Sequence, residues 1–342
     1  MMKENSNSLL LVLFILLLAG LSMTSCDDNN FDFENTPHGN FEALWTLIDH
    51  NYCFFEYKEI DWEEAKAKYG ARVTNNMSND ALFKLMAQML SELKDGHVNL
   101  ISTHDVSRYW RWKEDYPPNF YIDIIDKYLS NDYYTASSMK YKILEDNVGY
   151  IYYGSFSNTI SNSGFSQILN RMSLCNGIIL DVRENGGGSL TNVDRIASRF
   201  FNERTLVGYI SHKLGAAHDN FSDLYPKYIE SSNSIRYQKP IVILTNRGCY
   251  SATNEFVSTM KYAHNVTVVG DKTGGGSGFP FSSELPNGWS VRFSTSPTFN
   301  AEKEHIEFGV DPDIRLNLKY EDILSGRDTY IEYARKKISE TK

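Results

Sequence analysis

The segment GIILDVRENGGGSL, residues 177–190, decides the fold. Its first half is an apolar run, and three consecutive glycines, Gly186 to Gly188, follow it directly before a segment with helical spacing. A short apolar run bounded by turn residues is typical of a buried strand. Glycines let the backbone turn sharply and present N–H groups to an anion or oxyanion. Three glycines alone more often form an ordinary tight turn, so this motif needs support from elsewhere.

Further apolar runs continue the pattern toward both ends of the chain. Strands are predicted at 148–156, 177–183, 240–246 and 266–270. Helices are predicted near 161–173, 190–202 and 252–263. Strands that alternate with helices indicate an α/β domain with several buried strands, and we predict it over residues 148–342.

The region before this domain has two segments of helical periodicity. The first apolar stripe consists of Phe41, Leu44, Trp45, Ile48 and Tyr52. The second follows Asn79, a predicted cap, and consists of Leu82, Leu85, Met86, Met89, Leu90 and Leu93. These stripes predict a small helical domain over 41–105. Residues 106–147 are aromatic-rich, show no clear period, and are interpreted as a connector.

The first 25 residues have the pattern of a signal peptide. A polar start is followed by an apolar run of 13 residues, Leu9 to Leu21, which is too short to span a bilayer comfortably. The sequence MTSC at 23–26 resembles the lipobox of bacterial lipoproteins. That resemblance implies lipidation of Cys26, membrane attachment and a place in the bacterial cell envelope. Residues 26–40 are polar and predict a flexible tether.

Composition excludes several other classes of protein. The chain has 342 residues and a formal net charge of −9, which argues against binding to a nucleic-acid backbone. Apart from Cys26, the cysteines are Cys53, Cys175 and Cys249, a set with neither a disulfide framework nor zinc spacing. No pair of histidine, aspartate or glutamate residues with metal-ligand spacing is backed by a second such cluster, so neither a metal nor another cofactor is expected.

A serine lies at a second junction between a predicted strand and a predicted helix. The sequence RGCYSATNEFV, residues 247–257, places Ser251 at the start of that helix. A serine there is usually an N-cap, although the helix dipole and free N–H groups can also stabilise charge beside a nucleophile. The pattern alone favours the cap, because the Gly-x-Ser-x-Gly signature of a nucleophile elbow is absent.

Two other segments supply polar residues near ends of ordered elements. His97 lies in LKDGHVNL, residues 93–100, between a helix and a strand-like run, and taken alone it favours a structural histidine. The glycine-rich segment GDKTGGGSGFP, residues 270–280, does not fit a phosphate loop, because Asp271 precedes Lys272. We interpret it as a flexible loop that lines the same crevice as the segments around Gly186, Ser251 and His97.

Taken together, these segments resemble the C-terminal-processing (tail-specific) serine peptidases, in the branch similar to the tricorn protease core. The matching motifs, in order, are GIILDVRENGGG, VILTNRGCYSAT, VVGDKTGGG and FGVDPDI. The resemblance covers about residues 41–315. It implies a crotonase/Clp-protease-like βαβ spiral for the catalytic domain, preceded by a small helical domain.

The resemblance assigns roles to individual residues. Ser251 matches the nucleophile, and the oxyanion hole would use the N–H of Ala252 and of a glycine in the turn Gly186–Gly187. The lysine base of bacterial tail-specific members falls on Gly276, whereas the histidine of the tricorn-like branch falls on His97.

Three departures from the family pattern qualify these roles. Gly276 replaces the lysine, Gly96 replaces the serine that precedes the histidine, and Asn254 replaces a glutamate. Lys272 stays an alternative base. Glu307 is the expected carboxylate of the relay.

Only about 50 residues separate His97 from Val148. A PDZ domain, which typical members carry here, usually takes ~80–100 residues, so a full PDZ domain is not expected. The predicted function is a lipid-anchored serine endopeptidase acting on peptides or proteins through an acyl-enzyme on Ser251. The alternative is a non-catalytic lipoprotein that binds a peptide or an apolar ligand. The sequence makes no prediction of oligomeric state.

Overall fold

The computed structural model contains two β-sheets and describes residues 33–114 and 116–340. The strands, in chain order, are β1 (Asn99–Ile101), β2 (Tyr134–Ala136), β3 (Met139–Ile143), β4 (Gly149–Tyr152), β5 (Ile178–Asp181), β6 (Thr205–Ile210), β7 (Tyr225–Ile229), β8 (Ile241–Thr245), β9 (Val266–Gly270), β10 (Gly278–Glu284), β11 (Ser290–Phe299) and β12 (Ile314–Arg315). The helices are α1 (Pro37–Asn51), α2 (Trp62–Gly70), α3 (Asn79–Ser91), α4 (Arg111–Glu114), α5 (Ile122–Leu129), α6 (Asn162–Arg171), α7 (Leu190–Ala197), α8 (Ala252–Met260), α9 (Tyr320–Leu324) and α10 (Thr329–Glu340).

The larger sheet has seven strands in the order β12-β9-β8-β5-β4-β3-β2. Its strands from β4 to β12 pair in parallel, and β2 and β3 add an antiparallel edge. The second sheet runs β1-β11-β6-β7, with β10 paired to β11. The carboxyl ends of β5 and β8 lie side by side in the parallel part, so the loops after them meet at one edge.

Both faces of the central parallel strands of the large sheet are buried, as parallel sheets require. Alternate residues of β5 point to opposite sides: Ile178 and Leu180 pack with α6, α7 and α8, whereas Ile179 packs with α5 and α10. The continuous apolar run of β5 that the sequence shows is therefore the pattern of a strand covered on both faces. The prediction of an α/β fold is confirmed, with β4, β5, β8 and β9 at the predicted strands.

The first helix begins earlier than predicted and includes the end of the predicted tether 26–40. Thr36 caps it, because the Thr36 hydroxyl accepts a hydrogen bond at 3.0 Å from the N–H of Gly39. Pro37 occupies the first turn, where its missing N–H costs nothing. Similarly, Ser78 rather than Asn79 caps α3, with its hydroxyl 3.3 Å from the N–H of Ala81.

The predicted boundaries at 105/106 and 147/148 do not separate domains. Within the supposed connector 106–147, β3 pairs with β4 and thus extends the large sheet. The strand β1 after the helical segment pairs with β11, almost 200 residues away along the chain. The described residues from Glu34 onward accordingly group into one unit. For β1 the physical reason is that its partner β11 is distant along the chain, and no local pattern reveals such a pairing.

The predicted signal peptide, the lipidation site Cys26 and most of the tether lie outside the described residues. Over the part of the chain that is described, no helix is long and apolar enough to cross a membrane.

Candidate active site

Ser251 occupies a strained turn between β8 and α8. Its backbone has φ 57° and ψ −122°, a conformation that non-glycine residues rarely adopt. Its side chain makes no capping hydrogen bond to the helix that it precedes. The backbone N–H instead donates to the carbonyl of Gly275 at 2.8 Å, which ties the turn to the glycine-rich loop. The serine hydroxyl is thus free for a role other than capping.

His97 supplies the partner of that hydroxyl. Its Nε2 lies 2.9 Å from Oγ of Ser251, although the two residues are 154 positions apart. The imidazole is buried, and Nδ1 has no hydrogen-bond partner among the described residues. The backbone N–H of His97 donates to Oδ1 of Asp95 at 2.8 Å, which fixes the turn that presents the ring.

The surroundings of His97 keep the imidazole neutral. Burial lowers the pKa of His97 to about 4, and the positive charges of Arg292 and Lys58 act in the same direction. The nearby Asp95 opposes them, but it does not outweigh the loss of hydration. At neutral pH the ring therefore has a free lone pair and can accept the proton of the serine.

The glycine turn after β5 lies directly against Ser251. A β-carbon placed on Gly187 would stand 2.9 Å from both Ser251 Cβ and the backbone nitrogen of Ala252, so only glycine fits there. The N–H of Gly187 donates to Oδ1 of Asn185 at 3.0 Å. Within the described residues, the N–H groups of Gly186 and Ala252 have no such acceptor.

Buried polar side chains hold this turn in place. Asn185 also accepts from the hydroxyl of Thr253 at 2.8 Å, which joins the glycine turn to the first turn of α8. Arg183 is fully buried and forms ion pairs with Asp181 at 2.6 Å and Asp328 at 2.9 Å. The Asp-x-Arg-x-Asn part of the motif thus acts as a rigid support for the glycines.

Glu307 does not contact His97 through any described hydrogen bond. Its Oε1 is 2.7 Å from Nζ of Lys58, and its Oε2 accepts from the N–H of Ser277 at 2.7 Å. Lys58 also lies 3.6 Å from Oδ2 of Asp95. All three charged side chains are buried, and together Lys58, Asp95 and Glu307 form a carboxylate–lysine cluster beside His97.

The two carboxylates of this cluster differ in acidity. Burial alone raises the pKa of Asp95, but Lys58, His97 and hydrogen bonds from His97 and Ser294 hold it below its ordinary value. Burial raises the pKa of Glu307, the charge of Asp95 adds to this, and Lys58 only partly offsets both. Asp95 is therefore the carboxylate that keeps its charge, and Glu307 is the first to take up a proton.

Tyr250 explains both missing family residues, the serine at position 96 and the lysine at position 276. A β-carbon on Gly96 would lie 2.7 Å from the Tyr250 hydroxyl and 2.8 Å from Nε1 of Trp112. A β-carbon on Gly276 would overlap with the Tyr250 ring. The rings of Trp112 and Tyr250 stack with their centroids 4.2 Å apart. Together they occupy the space that side chains at positions 96 and 276 would need.

The remaining predicted residues have structural partners. Lys272 lies 3.5 Å from Asp311 and lines a cavity that does not include Ser251. Asn254 is buried, donates to the carbonyl of Ile306 at 3.0 Å and accepts from Thr273 at 2.6 Å. Asn254 thereby anchors the loop that carries Glu307.

Two cavities meet at Ser251. We call the first, of about 520 Å³, the His97 cavity; its lining includes His97, Gly186, Gly187, Tyr250, Ser251 and Arg292. We call the second, of about 370 Å³, the Ala252 cavity; its lining includes Leu190, Ser251, Ala252, Phe279 and Arg292. An extended peptide that crosses the serine would therefore find space on both sides.

Sequence reasoning missed Lys58, Asp95 and Arg292 as members of this site. The only signal for Asp95 was its place two residues before His97 in LKDGH. Lys58 and Arg292 stand in segments with no recognisable motif. Among the described residues, no cluster of histidine, cysteine or carboxylate side chains could hold a metal ion.

Comparison with known proteins finds two family models that match different parts of this chain. The model of peptidase family S41 matches residues 147–316, and that of the tricorn protease C1 domain matches residues 33–91. A crystal structure of a protein from Parabacteroides merdae, assigned as a peptidase, is 51% identical with a TM-score of 0.85. That likeness covers 89% of this chain and 97% of the other.

Two curated relatives are more distant. The carboxy-terminal processing protease CtpA of Bacillus subtilis is 23% identical over 197 residues, which cover 57% of this chain and 40% of the relative. The tricorn protease of Thermoplasma acidophilum is 27% identical over 223 residues, which cover 62% of this chain and 19% of the relative. The chain thus spans less than half the length of either.

Proposed function

This chain belongs to peptidase family S41, and we propose that it is a serine peptidase with Ser251 as nucleophile and His97 as general base. The observation that carries the proposal is the 2.9 Å contact between Oγ of Ser251 and Nε2 of a neutral, buried His97. A serine hydroxyl is a weak nucleophile and needs a base at about this distance.

The proposed reaction uses this geometry as follows. Nε2 of His97 accepts the hydroxyl proton while Oγ of Ser251 attacks the carbonyl carbon of the scissile peptide bond. The oxyanion receives hydrogen bonds from the N–H groups of Ala252 and Gly186, next to the N-terminus of α8. His97 then returns the proton to the leaving amine, and a water molecule activated by the same ring hydrolyses the acyl-enzyme.

The carboxylate–lysine cluster stabilises the charged form of His97 that arises during this cycle. Asp95, the carboxylate that keeps its charge, attracts the imidazolium and so offsets part of the free energy that its burial costs. Lys58 holds Asp95 and Glu307 together, because two buried carboxylates without a cation would repel each other. Glu307 therefore acts on His97 through Lys58 and Asp95.

Peptide hydrolysis by single variants tests the assignment. Ser251→Ala and His97→Ala should each lower kcat by a factor of about 10⁴ or more while the proteins stay folded. Ser258→Ala on the same helix and His305→Gln are matched controls, since neither residue lines the two cavities. Full activity of either active-site variant would overturn the proposal. Peptide binding without any hydrolysis by the wild-type protein would favour a non-catalytic binding protein instead.

We also propose attachment to the bacterial cell envelope through lipidated Cys26. The support is the sequence alone: the apolar run from Leu9 to Leu21 followed by MTSC. Incorporation of radiolabelled palmitate by the wild-type protein, and its loss in Cys26→Ala, would support this anchor. Equal incorporation in both, or none in either, would contradict it.

A further inference from the structure

Arg292 lies where the two cavities meet, on a strand that the sequence analysis did not identify. It stands opposite Asn99 in the pairing of β11 with β1, just after the segment that carries His97. Ser294, two residues further and on the same face of β11, donates to Asp95 at 2.9 Å. The face of β11 that supports the cluster thus also presents Arg292 to the cleft, and Arg292 lines both the His97 and the Ala252 cavities.

The guanidinium of Arg292 forms no ion pair with any described carboxylate. The nearby acidic side chains have other partners: Glu255 in the Ala252 cavity pairs with Lys227 and accepts from Thr298. Asp95 and Glu307 pair with Lys58. A half-buried arginine without a carboxylate partner keeps its five donors available for a ligand.

The charge around the His97 cavity differs in sign from that of the whole protein, whereas Glu255 and Arg292 balance each other in the lining of the Ala252 cavity. The whole chain carries −9, but the charged side chains described around the His97 cavity are Arg108, Lys113 and Arg292 against Glu184. A cleft of one sign concentrates ligands of the other sign. The distribution of charge therefore favours anionic peptides at the nucleophile.

We propose that Arg292 binds a carboxylate of the substrate beside the scissile bond and so determines a preference for anionic peptides. The guanidinium matches a carboxylate geometrically, because its planar fork can donate two parallel hydrogen bonds. The carboxylate can come from an aspartate or glutamate side chain or from the free C-terminus of the peptide. This inference rests on the proposed function for its biological meaning, but the binding step can be measured without catalysis.

Binding to the inactive Ser251→Ala protein tests the proposal directly. The probes are N-acetylated alanine-based peptides that carry one glutamate or one glutamine, each made with a free and with an amidated C-terminus. The peptides with the recognised carboxylate should bind about 10- to 100-fold more tightly than their neutral counterparts. The pair that shows the difference identifies the source of the carboxylate.

Variants at Arg292 locate the effect. In Ser251→Ala/Arg292→Gln the preference should disappear, and in Ser251→Ala/Arg292→Lys part of it should remain, because lysine keeps the charge but loses the fork. Lys336→Gln in the same background, at an exposed position of α10, should leave the preference unchanged. The preference should also weaken as ionic strength rises.

The outcomes separate this inference from the proposed function. Equal dissociation constants for charged and neutral peptides, or a preference that survives Arg292→Gln, overturn the inference even if the wild-type enzyme cleaves peptides. A preference that depends on Arg292 supports it even if the wild-type protein fails to hydrolyse any peptide, in which case only the proposed function fails.

Discussion

Nζ of Lys58 lies 2.7 Å from Oε1 of Glu307, and this buried contact joins the N-terminal helical region to the loop after β11. Lys58 follows α1, whereas Glu307 lies nearly 250 residues later. The same lysine faces Asp95, the residue whose carboxylate fixes the backbone of His97. The position of His97, the proposed general base, therefore depends on an ion pair between residues that are remote in sequence from both His97 and Ser251.

Replacement of Lys58 by methionine should destabilise the fold strongly. It leaves Asp95 and Glu307 buried without a cation, and loss of one partner from such a pair costs about 3–5 kcal/mol. The free energy of unfolding in urea measures this. Lys66→Met is the matched control, because Lys66 pairs with Glu42 at a partly exposed site and should cost about 1 kcal/mol or less. Equal losses in the two variants would contradict the role of Lys58.

Restoring the family serine at position 96 should impair the enzyme. A β-carbon there would lie 2.7 Å from the Tyr250 hydroxyl, so Gly96→Ser must displace Tyr250, which directly precedes the proposed nucleophile Ser251. Displacement by about 1 Å can lower kcat/KM by about 100-fold. Removal of the hydroxyl in Gly96→Ser/Tyr250→Phe should recover part of the loss, with Tyr250→Phe alone as the reference. An increase of activity in Gly96→Ser would show that the space is available after all.

The pH dependence of kcat/KM should reflect the lowered pKa of His97. Since the folded pKa is about 4 rather than 6.5, the imidazole stays neutral until the pH falls through about 4, and activity should be lost only there. Arg292→Gln should move this acid limb upward, because the arginine charge contributes to the low pKa.

His305→Gln is the control for this profile. Burial also lowers the pKa of His305 to about 4, but its ring stacks on Tyr57 at 3.9 Å and lines neither cavity at the nucleophile. The acid limb should stay at the same pH in this variant. A limb near 6.5 in the wild-type enzyme, or one that shifts in His305→Gln, would mean that a different group governs it.

The parts of the fold that the sequence predicted are those with strong local patterns. The buried strand β5 is recognisable in the sequence because both of its faces are apolar. The helix α3 is recognisable because one of its faces is a continuous apolar stripe. The β10–β11 hairpin was not predicted: SVRFSTSPTF mixes serine, threonine and proline, which read as a loop. β11 forms a strand because it pairs with β10 in the hairpin and with β1 and β6, which are distant along the chain.

The site shows the same division between local and long-range information. Ser251 and His97 were predicted only because several motifs resembled one family in order, and position alone favoured a cap and a structural histidine. Lys58 and Arg292 come from segments without a motif, and only the fold brings them to His97. Glu307 was predicted as the carboxylate of the relay, but its contact is with Lys58, a pairing that the sequence could not reveal because Lys58 lies in the distant helical region.

The account depends most on Ser251 being an activated nucleophile. Labelling with a fluorophosphonate, followed by peptide mapping in a mass spectrometer, tests this most directly, because the reagent reacts only with an activated serine and needs no peptide substrate. We predict a single adduct on Ser251 in the wild-type protein, and a labelling rate at least about 100-fold lower in His97→Ala. An adduct on another residue, no adduct at all, or labelling of His97→Ala at the wild-type rate would contradict the account.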